Sequence, residues 1–374
     1  MTNYRYIAPC HFGIEKTLSF EVKKIGGEDI AVSDGKVAFS GSPELCAKAN
    51  ICLSTAERVC IVLGQFCAKT FDELFEGIRA LPLSEYIGRY DAFPNTGHSL
   101  NSVLKSIPAC QKIVKKAMAV NLCKAYGLQT MPESGATAQI RFSIMKDEVT
   151  VGLDTSGEGL YKRGYRAHGV AAPLKETLAA AMVKLSHYNG RDPFCDPFCG
   201  SGTIAIEAAL IARNRAPGLN RSFAAQHWAT LDKMLWLDAA DEAMDKEFHG
   251  KYEIWGGDID PDAVELSRHN AELAEVDDIV KFEVDDATRF HWGGLYGRIV
   301  TNPPYGERLL EREEAGELYK AFGKAMDKLP DTWRVYVLSS HPDFERCYGR
   351  FADKKRKLYN GMLKCDFFMY GKRL

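Results

Sequence analysis

The sequence predicts an α/β protein whose C-terminal part is a Rossmann-like, mainly parallel sheet ending in an antiparallel hairpin. From about Gly164 onward, apolar strands alternate with longer helices, a rhythm typical of right-handed βαβ units in a parallel sheet. Near the end, Asn360-Gly361 separates two extended segments. This dipeptide favours a tight hairpin because both residues tolerate positive φ.

The elements of the C-terminal part follow from the spacing of apolar residues. Short apolar runs bounded by turn formers predict strands, and apolar residues recurring every three to four positions predict helices. Strands are expected at Pro193–Pro197, Tyr252–Asp258, Val280–Val284, Gly297–Thr301, Trp333–Leu338, Lys355–Tyr359 and Met362–Met369. Helices are expected at Leu174–Leu185, Thr203–Arg213, Asp262–Leu273 and Glu313–Lys328. Residues 216–250 interrupt this rhythm and are interpreted as a helical insertion. We expect it to cover the sheet, since Trp228 and Trp236 are typical core residues, and the alternative is that it shapes the substrate pocket.

The first 160 residues mix short strands with amphipathic helices, which is an α+β pattern. Strands are expected at Tyr6–Pro9, Lys36–Phe39, Val59–Leu63, Thr137–Ile144 and Glu148–Leu153. Helices are expected at Ile14–Ile25, Pro43–Leu53, Phe71–Arg79 and Gln111–Tyr126. Asp147 favours a tight turn between the last two strands.

Length and composition exclude several classes of protein. A chain of 374 residues is long enough for two or three domains. With 48 basic and 50 acidic residues it is not a generally cationic nucleic-acid coat, so local patches have to make any RNA or DNA contact. The 11 cysteines form no CxxC pair, and the histidines show no ligand spacing, so neither a disulfide framework nor a metal site is expected. Without a basic-then-apolar leader or a membrane-length apolar stretch, a cytoplasmic protein is expected.

The tetrad Asn302-Pro303-Pro304-Tyr305 directly follows one of the expected strands. Asn302 offers an amide oxygen, the prolines fix the backbone so that a carbonyl can point to the same place, and Tyr305 supplies a flat face. Such a pocket accepts both hydrogens of a planar amine, as methylation of a nucleobase or carboxamide nitrogen requires. The alternative is an ordinary turn, because Asn-Pro is a common turn former.

A glycine-rich loop, Asp196–Thr203, connects another expected strand to a helix. Gly200 and Gly202 let the backbone turn sharply and approach a ligand beside the amides of the helix N-terminus. Asp196 at the strand's carboxyl end suits the ammonium of a bound methionine moiety and would repel a pyrophosphate. The loop therefore predicts a cofactor site, with Phe198 and Thr203 as further contacts.

A purely structural glycine turn is the alternative, and other ligand-binding interpretations of this loop fit less well. The run from Gly200 also matches GxGxxA, but the next strand-terminal acid, Asp258, lies far beyond the usual spacing of about 20 residues. No Gly-Lys-Ser/Thr follows, which excludes a P-loop. Cys195 and Cys199 have the first spacing of an iron–sulfur site, yet Gly202 occupies the third ligand position.

The next strands also end in polar residues. Asp258 can accept hydrogen bonds from two ribose hydroxyls while Ile259 packs on adenine, and Asp286 beside Ala287 can accept the adenine amino group. A helix cap before Arg289 is the alternative for Asp286. Four successive strand ends thus carry the loop glycines, two acids and the amine acceptor, in the order expected for one cleft binding S-adenosylmethionine. The sheet layout is that of a class I methyltransferase.

Three further motifs at the domain junctions are more distinctive than the tetrad. They are Leu153-Asp154-Thr155-Ser156-Gly157, Lys162-Arg163-Gly164-Tyr165-Arg166 and Ala172-Pro173-Leu174-Lys175-Glu176-Thr177-Leu178-Ala179. With them, essentially the whole chain resembles the bacterial THUMP-domain 23S rRNA guanine-N2 methyltransferases, which are also labelled N6-adenine-specific DNA methylases. The resemblance implies a ferredoxin-like domain (1–55), a THUMP RNA-binding domain (56–160) and a Rossmann-like methyltransferase domain (161–374).

The resemblance also implies an activity and a set of contacts. The expected reaction is S-adenosylmethionine-dependent methylation of guanine N2 in 23S rRNA, and only this activity is implied because the chain stops after the terminal hairpin. Methylation of tRNA guanine N2, of adenine N6 or of glutamine is the alternative, as is a non-catalytic RNA-binding ribosome-assembly factor. Asp196, Gly200, Gly202, Asp258 and Asp286 would contact the cofactor, and Asn302 with Tyr305 the target base.

Basic residues predict where RNA would be held. Lys112, Lys115, Lys116 and Lys124 share a helix, Arg163 and Arg166 lie at a domain junction, and Lys354-Lys355-Arg356-Lys357 adjoins the hairpin. Each group could contact phosphates. The alternatives are a solvated surface for the lysines and interdomain salt bridges for the arginines.

Overall fold

The fold was analysed in a computed structural model, which describes residues 3–166, 174–306 and 309–371. Ala172 and Pro173 of the third junction motif lie outside these residues. The chain divides into two compact units. The first contains Met1–Pro9, Ser19–Leu160 and Arg221–Glu242, and the second contains Cys10–Leu18, Tyr161–Asn220 and Ala243–Leu374. The finer division of the first unit at residue 55 stays a prediction.

The first unit is built on a seven-stranded mixed sheet. Its strands are β1 (Tyr4–Pro9), β2 (Glu28–Ser33), β3 (Lys36–Gly41), β4 (Cys60–Cys67), β5 (Asn95–Leu100), β6 (Ile140–Met145) and β7 (Glu148–Asp154). Their order is β2-β3-β1-β4-β7-β6-β5, and β5 and β6 are the parallel pair. The helices before residue 160 are α1 (Glu15–Lys24), α2 (Pro43–Cys52), α3 (Phe71–Arg79) and α4 (Ile107–Tyr126).

The two strands that sequence analysis missed are the two edges of this sheet. In β2 no residue is buried, and β5 alternates only between half-buried and exposed positions. An edge strand without a buried face lacks the alternation of apolar and polar residues on which strand prediction depends. Both strands are therefore defined by pairing with a neighbour rather than by their own composition.

The segment Arg221–Glu242 packs within the first unit, so the expectation that residues 216–250 cover the second sheet is wrong for this part. The indole nitrogen of Trp228 donates a hydrogen bond of 2.9 Å to the carbonyl oxygen of Thr137. Phe223 stacks on Trp236 with ring centroids 5.2 Å apart. Both tryptophans are buried, as predicted.

The second unit contains the predicted parallel sheet with its antiparallel end. Its strands are β8 (Phe194–Asp196), β9 (Ile254–Asp258), β10 (Val280–Val284), β11 (Arg298–Thr301), β12 (Arg334–Ser339), β13 (Lys354–Asn360) and β14 (Leu363–Tyr370). The order is β10-β9-β8-β11-β12-β14-β13. The first five strands are parallel, whereas β14 runs antiparallel to both β12 and β13. The predicted class I methyltransferase layout is thus confirmed.

The remaining helices are α5 (Glu176–Leu185), α6 (Thr203–Arg213), α7 (Met234–Asp245), α8 (Pro261–Leu273), α9 (Leu309–Met326) and α10 (Phe344–Tyr348). Aromatic residues dominate one core of the second unit, where Tyr319, Phe322 and Phe344 are fully buried. The eleven cysteines are free, and most are buried as expected, although Cys67 is exposed. None of the helices in the described ranges has the length and apolar character needed to cross a bilayer.

The strand order opens a crevice at one end of the second sheet. From β8 the chain proceeds to β9 and β10 on one side, whereas β11 and β12 lie on the other side. Such a reversal separates the connections above the carboxyl ends of the strands, and ligands of open α/β sheets bind there. The predicted site residues follow those strand ends.

Candidate active site

A cavity of about 670 Å³ opens at the carboxyl ends of β8, β9, β10 and β11. Its volume lies in the range usual for cofactor sites. Ten predicted site residues line it, namely Phe198, Gly200, Asp258, Ile259, Asp286, Ala287, Asn302, Pro303, Pro304 and Tyr305. Six further lining residues were not predicted, namely Lys175, Pro197, Leu318, Asn360, Gly361 and Leu363.

The two loop glycines have different roles. Gly200 has a φ of 52°, and a Cβ atom added there would meet no atom within 4 Å. Gly202 has a φ of 79°, but its added Cβ would lie 2.9 Å from the Phe282 ring and 3.0 Å from the Ser267 Cβ. Gly200 therefore leaves open space in which a ligand can approach the backbone, whereas Gly202 permits close packing of the loop on neighbouring elements.

Asp258 joins the end of β9 to the glycine loop. One carboxylate oxygen accepts a hydrogen bond of 2.9 Å from the Gly200 amide, and the other accepts one of 3.1 Å from the Asp260 amide. Each carboxylate oxygen has a further lone pair, which can accept a ligand hydroxyl. The adjacent Ile259 side chain is 73% exposed and lines the cavity, which is suitable for packing on a flat ligand.

Asp286 caps a short helix and also lines the cavity. Its Oδ1 atom accepts hydrogen bonds from the Thr288 amide (2.9 Å) and hydroxyl (2.7 Å), so it caps the short helix Ala287–Arg289. These bonds lower the pKa of the Asp286 carboxyl. Since Asp286 also lines the cavity, it presents an ionised acceptor there at neutral pH.

Asp196 is not one of the residues that line the cavity, and it is almost completely buried. It accepts hydrogen bonds from the Thr301 hydroxyl (2.6 Å) and the Phe198 amide (3.3 Å). Burial raises the pKa of the Asp196 carboxyl to about 7. The group therefore changes its charge near neutral pH, and a cation bound nearby would favour the ionised form.

Asn302 is held by the tyrosine of its own tetrad. The Tyr305 hydroxyl donates a hydrogen bond to the Asn302 amide oxygen, and the Tyr319 hydroxyl donates one to the Pro304 carbonyl. Burial raises the pKa of the Tyr305 hydroxyl, which also interacts with the Asn360 side chain. The sequence indicated only a flat face for Tyr305, whereas in the structure its hydroxyl also donates a hydrogen bond to the amide of Asn302.

Arg163 is not available to RNA, which corrects its predicted role. Arg163 is 3% exposed, and its Nε atom lies 3.2 Å from the Glu207 carboxylate. The Tyr165 hydroxyl donates to the same carboxylate over 3.1 Å. These partners all belong to the second unit, so the salt bridge is an internal one. Glu207 is the one acid of helix α6, whose residues between Thr203 and Arg213 are otherwise apolar.

Arg166 is also engaged within the second unit. Its Nη2 atom donates to the Leu174 carbonyl (3.0 Å) and to the Thr203 hydroxyl (2.8 Å). Its Nη1 atom lies 3.5 Å from the Glu176 carboxylate. Thr203, which was predicted to contact the cofactor, is buried. Its hydrogen bond with Arg166 connects α6 to the start of α5.

The lysines of α4 differ in their surroundings. Lys115 bonds to both carboxylate oxygens of Glu133 at 2.7 Å and lies 3.5 Å above the Phe93 ring. The positive charge of Lys115 is therefore paired with a carboxylate of the first unit. Lys112 and Lys116 are exposed, and they present their charge to solvent.

Comparison with known proteins defines the class to which this fold and site belong. Residues 163–368 match the model of the RMKL-like methyltransferase domain, and residues 5–60 match that of the RlmL ferredoxin-like domain. The first match covers more than half of the chain. The protein therefore belongs to the RMKL-like methyltransferase family and carries an RlmL-type ferredoxin-like domain.

Individual relatives are similar along almost their whole length. The chain is 44% identical over 373 residues to "Putative RNA methyltransferase YpsC" of Bacillus subtilis (strain 168), covering 99% of this chain and 96% of that protein. A "predicted N6-adenine-specific DNA methylase" from Listeria monocytogenes str. 4b F2365 is 44% identical with a TM-score of 0.95, covering 100% and 97% of the two chains. "SMU.472, a putative methyltransferase complexed with SAH" is 39% identical with a TM-score of 0.93, covering 100% of both chains.

Proposed function

We propose that this protein is an RNA methyltransferase that transfers a methyl group from S-adenosylmethionine to the exocyclic N2 amine of a guanine in 23S rRNA. One observation carries the proposal. Asn302 lines the same cavity as Gly200, Asp258 and Asp286, so an amine acceptor and a cofactor site share one space. RNA as the substrate class is supported by the name of the Bacillus relative.

The methyl donor is S-adenosylmethionine, and the residues of the cavity fit its chemistry. Asp258 would accept the ribose hydroxyls, Asp286 the adenine amino group, and Ile259 would cover the adenine face. The open space at Gly200 would admit the amino-acid end beside the loop backbone. When bound, the cofactor supplies an electrophilic methyl group on a sulfonium sulfur.

Asn302 would hold and activate the target amine. An aromatic exocyclic amine is a poor nucleophile because its lone pair is delocalised into the ring. Acceptance of its two N–H bonds by the Asn302 oxygen and the Pro303 carbonyl favours a more tetrahedral nitrogen, which is the geometry of the transition state. The methylated nitrogen is acidic and loses its proton to solvent or to the amide oxygen, so no strong base is required.

Tyr305 would keep this acceptor in position. Its hydroxyl occupies one lone pair of the Asn302 oxygen and leaves the other free for the amine. Because an amide can rotate to exchange its oxygen and nitrogen, a fixed donor at the oxygen selects the orientation that accepts hydrogens. Much of the rate of a methyl transfer comes from such positioning.

RNA would be held by exposed lysines outside the cavity. Lys112 and Lys116 of α4 are exposed, as are Lys354 and Lys357 of β13. Contacts to phosphates supply affinity but do not distinguish one RNA sequence from another. The target base has to be unpaired or flipped out of its stack to reach Asn302.

The test is nucleoside analysis of RNA from a strain that lacks the gene. We expect N2-methylguanosine to fall in digests of purified 23S rRNA, and to return when the wild-type protein is supplied but not when Asn302→Ala is supplied. Loss of N2-methylguanosine from tRNA, or loss of N6-methyladenosine from either RNA, would show that the substrate is a different one. If no methylated nucleoside changed in any RNA fraction, the proposal would be refuted.

A further inference from the structure

Met362 lies at the tip of the hairpin formed by β13 and β14. It is 99% exposed, more than any other large apolar residue in the described part of the chain. The two strands pair up to Asn360 and Leu363, so Gly361 and Met362 form a two-residue loop. Gly361 has a φ of 62°, as such a loop requires at its first position, whereas the second position is commonly a polar residue. The turn itself therefore does not require a methionine.

This exposed side chain lies at the rim of the cavity. The residues on both sides of Met362 in the chain, Gly361 and Leu363, line the cavity, whereas Met362 itself does not. Asn360, which also lines it, interacts through its side chain with the hydroxyl of Tyr305. The hairpin loop is thus adjacent to the tetrad, and a base that enters the cavity would pass close to the apolar tip.

The hairpin that carries this tip is supported by the sheet and is basic on one face. β13 and β14 pair without interruption up to the loop, and β14 also pairs with β12. Asn360 and Leu363 form a pair on the face that lines the cavity. Because successive side chains of a strand alternate between faces, Lys357 and Lys364 lie on the opposite face, and both are exposed. This charge beside an apolar tip fits a nucleic acid, whose phosphates flank stacked apolar bases.

We propose that Met362 enters the base stack of the RNA and fills the gap that the flipped target nucleotide leaves. This inference rests on the proposed function, in which the target base leaves its stack to reach Asn302. Flipping removes the contacts between the base and its stacked neighbours, and an apolar side chain inserted between bases offsets part of that loss. The unbranched, polarisable side chain of methionine adapts to bases of different shape.

The test compares two full-length 23S rRNA transcripts that differ only opposite the target guanine, which is the one whose N2-methylation is lost in the strain that lacks the gene. One transcript pairs this guanine with a cytosine, and the other leaves it unpaired. In single-turnover methylation at saturating RNA, Met362→Ala should lower the rate about tenfold on the paired transcript and less than about twofold on the unpaired one, because only the paired guanine has to be drawn out of a stable stack. Met362→Leu, which keeps an apolar side chain of similar volume, should retain most of the rate on both.

The control is Leu295→Ala, which truncates a residue that is 76% exposed and precedes β11, at the end of the sheet opposite to the cavity. It should behave as the wild type on both transcripts. An unchanged rate of Met362→Ala on the paired transcript would overturn the inference, as would an equal loss on both transcripts, since Met362 would then act independently of flipping. So would a wild type that methylates only the unpaired transcript, because it would not flip a paired base. A wild type that methylates neither transcript would refute the proposed function itself.

Discussion

Replacement of Tyr305 by phenylalanine separates the two roles of this side chain. The substitution removes the hydroxyl that donates to the Asn302 amide oxygen and interacts with Asn360, but it keeps an aromatic ring at the cavity. The amide then loses the bond that selects its orientation. One neutral intramolecular hydrogen bond contributes about 1 kcal/mol, so the rate of methyl transfer should fall about fivefold.

The assay is single-turnover methylation with labelled S-adenosylmethionine at saturating RNA, because this condition isolates the chemical step. Tyr305→Phe should lower the rate and leave the affinity for RNA nearly unchanged. Tyr305→Ala is the matched comparison, since it also removes the ring, and stacking of one base contributes about 1–3 kcal/mol. It should weaken RNA binding as well as the rate. If Tyr305→Phe kept the full rate, or reduced only RNA affinity, the positioning role of the hydroxyl would be refuted.

Three other substitutions test the remaining parts of the site. Asn302→Ala should reduce turnover at least about a hundredfold, as removal of a transition-state hydrogen-bond partner does, while S-adenosylhomocysteine affinity measured by calorimetry stays nearly constant. Gly202→Ala should lower the free energy of unfolding by about 1–3 kcal/mol in urea titration, because its Cβ would clash with Phe282 at a positive φ, whereas Gly200→Ala should chiefly weaken cofactor binding. Asp196→Asn should become more stable relative to the wild type between about pH 4 and pH 7 and show no further relative change above that range. The raised pKa means that folded Asp196 retains a proton that the unfolded chain has released, so wild-type stability falls with rising pH in this window.

The sequence predicted the second sheet well because its signals are local. Strands β8, β9, β11 and β12 are mainly apolar and end in a polar residue, β10 alternates apolar and charged residues, and the hairpin has its Asn360-Gly361 turn. The edge strands β2 and β5 and the short helix α10 carry no comparable pattern. Their formation depends on pairing and packing with segments distant in the sequence, which propensity alone does not report.

The same difference between local and long-range signals explains which residues of the site were predicted. Gly200, Asp258 and Asn302 were identified because residues that follow parallel strands meet at one edge of a sheet. Lys175 and Asn360 reach the cavity through tertiary contacts that the sequence does not display. Such contacts include the guanidinium bridge from Arg166 and the pairing of β14 with β12.

The RNA-binding role predicted for Arg163 was wrong because the sequence shows its charge but not its burial. In the sequence it belongs to a basic junction motif, and exposed basic residues of this kind often contact phosphates. In the fold it pairs with Glu207 in the interior, where both side chains are almost completely buried. Neither residue alone revealed its partner, because 44 positions separate them in the chain.

The reaction that we propose for this cavity is methylation of guanine N2 in 23S rRNA. The most direct measurement incubates the purified protein with rRNA from the deletion strain and S-adenosylmethionine that carries a deuterated methyl group, and then identifies the labelled nucleoside by mass spectrometry. We expect deuterated N2-methylguanosine from 23S rRNA with the wild type and none with Asn302→Ala. Label in N6-methyladenosine, or no label in any nucleoside, would contradict it.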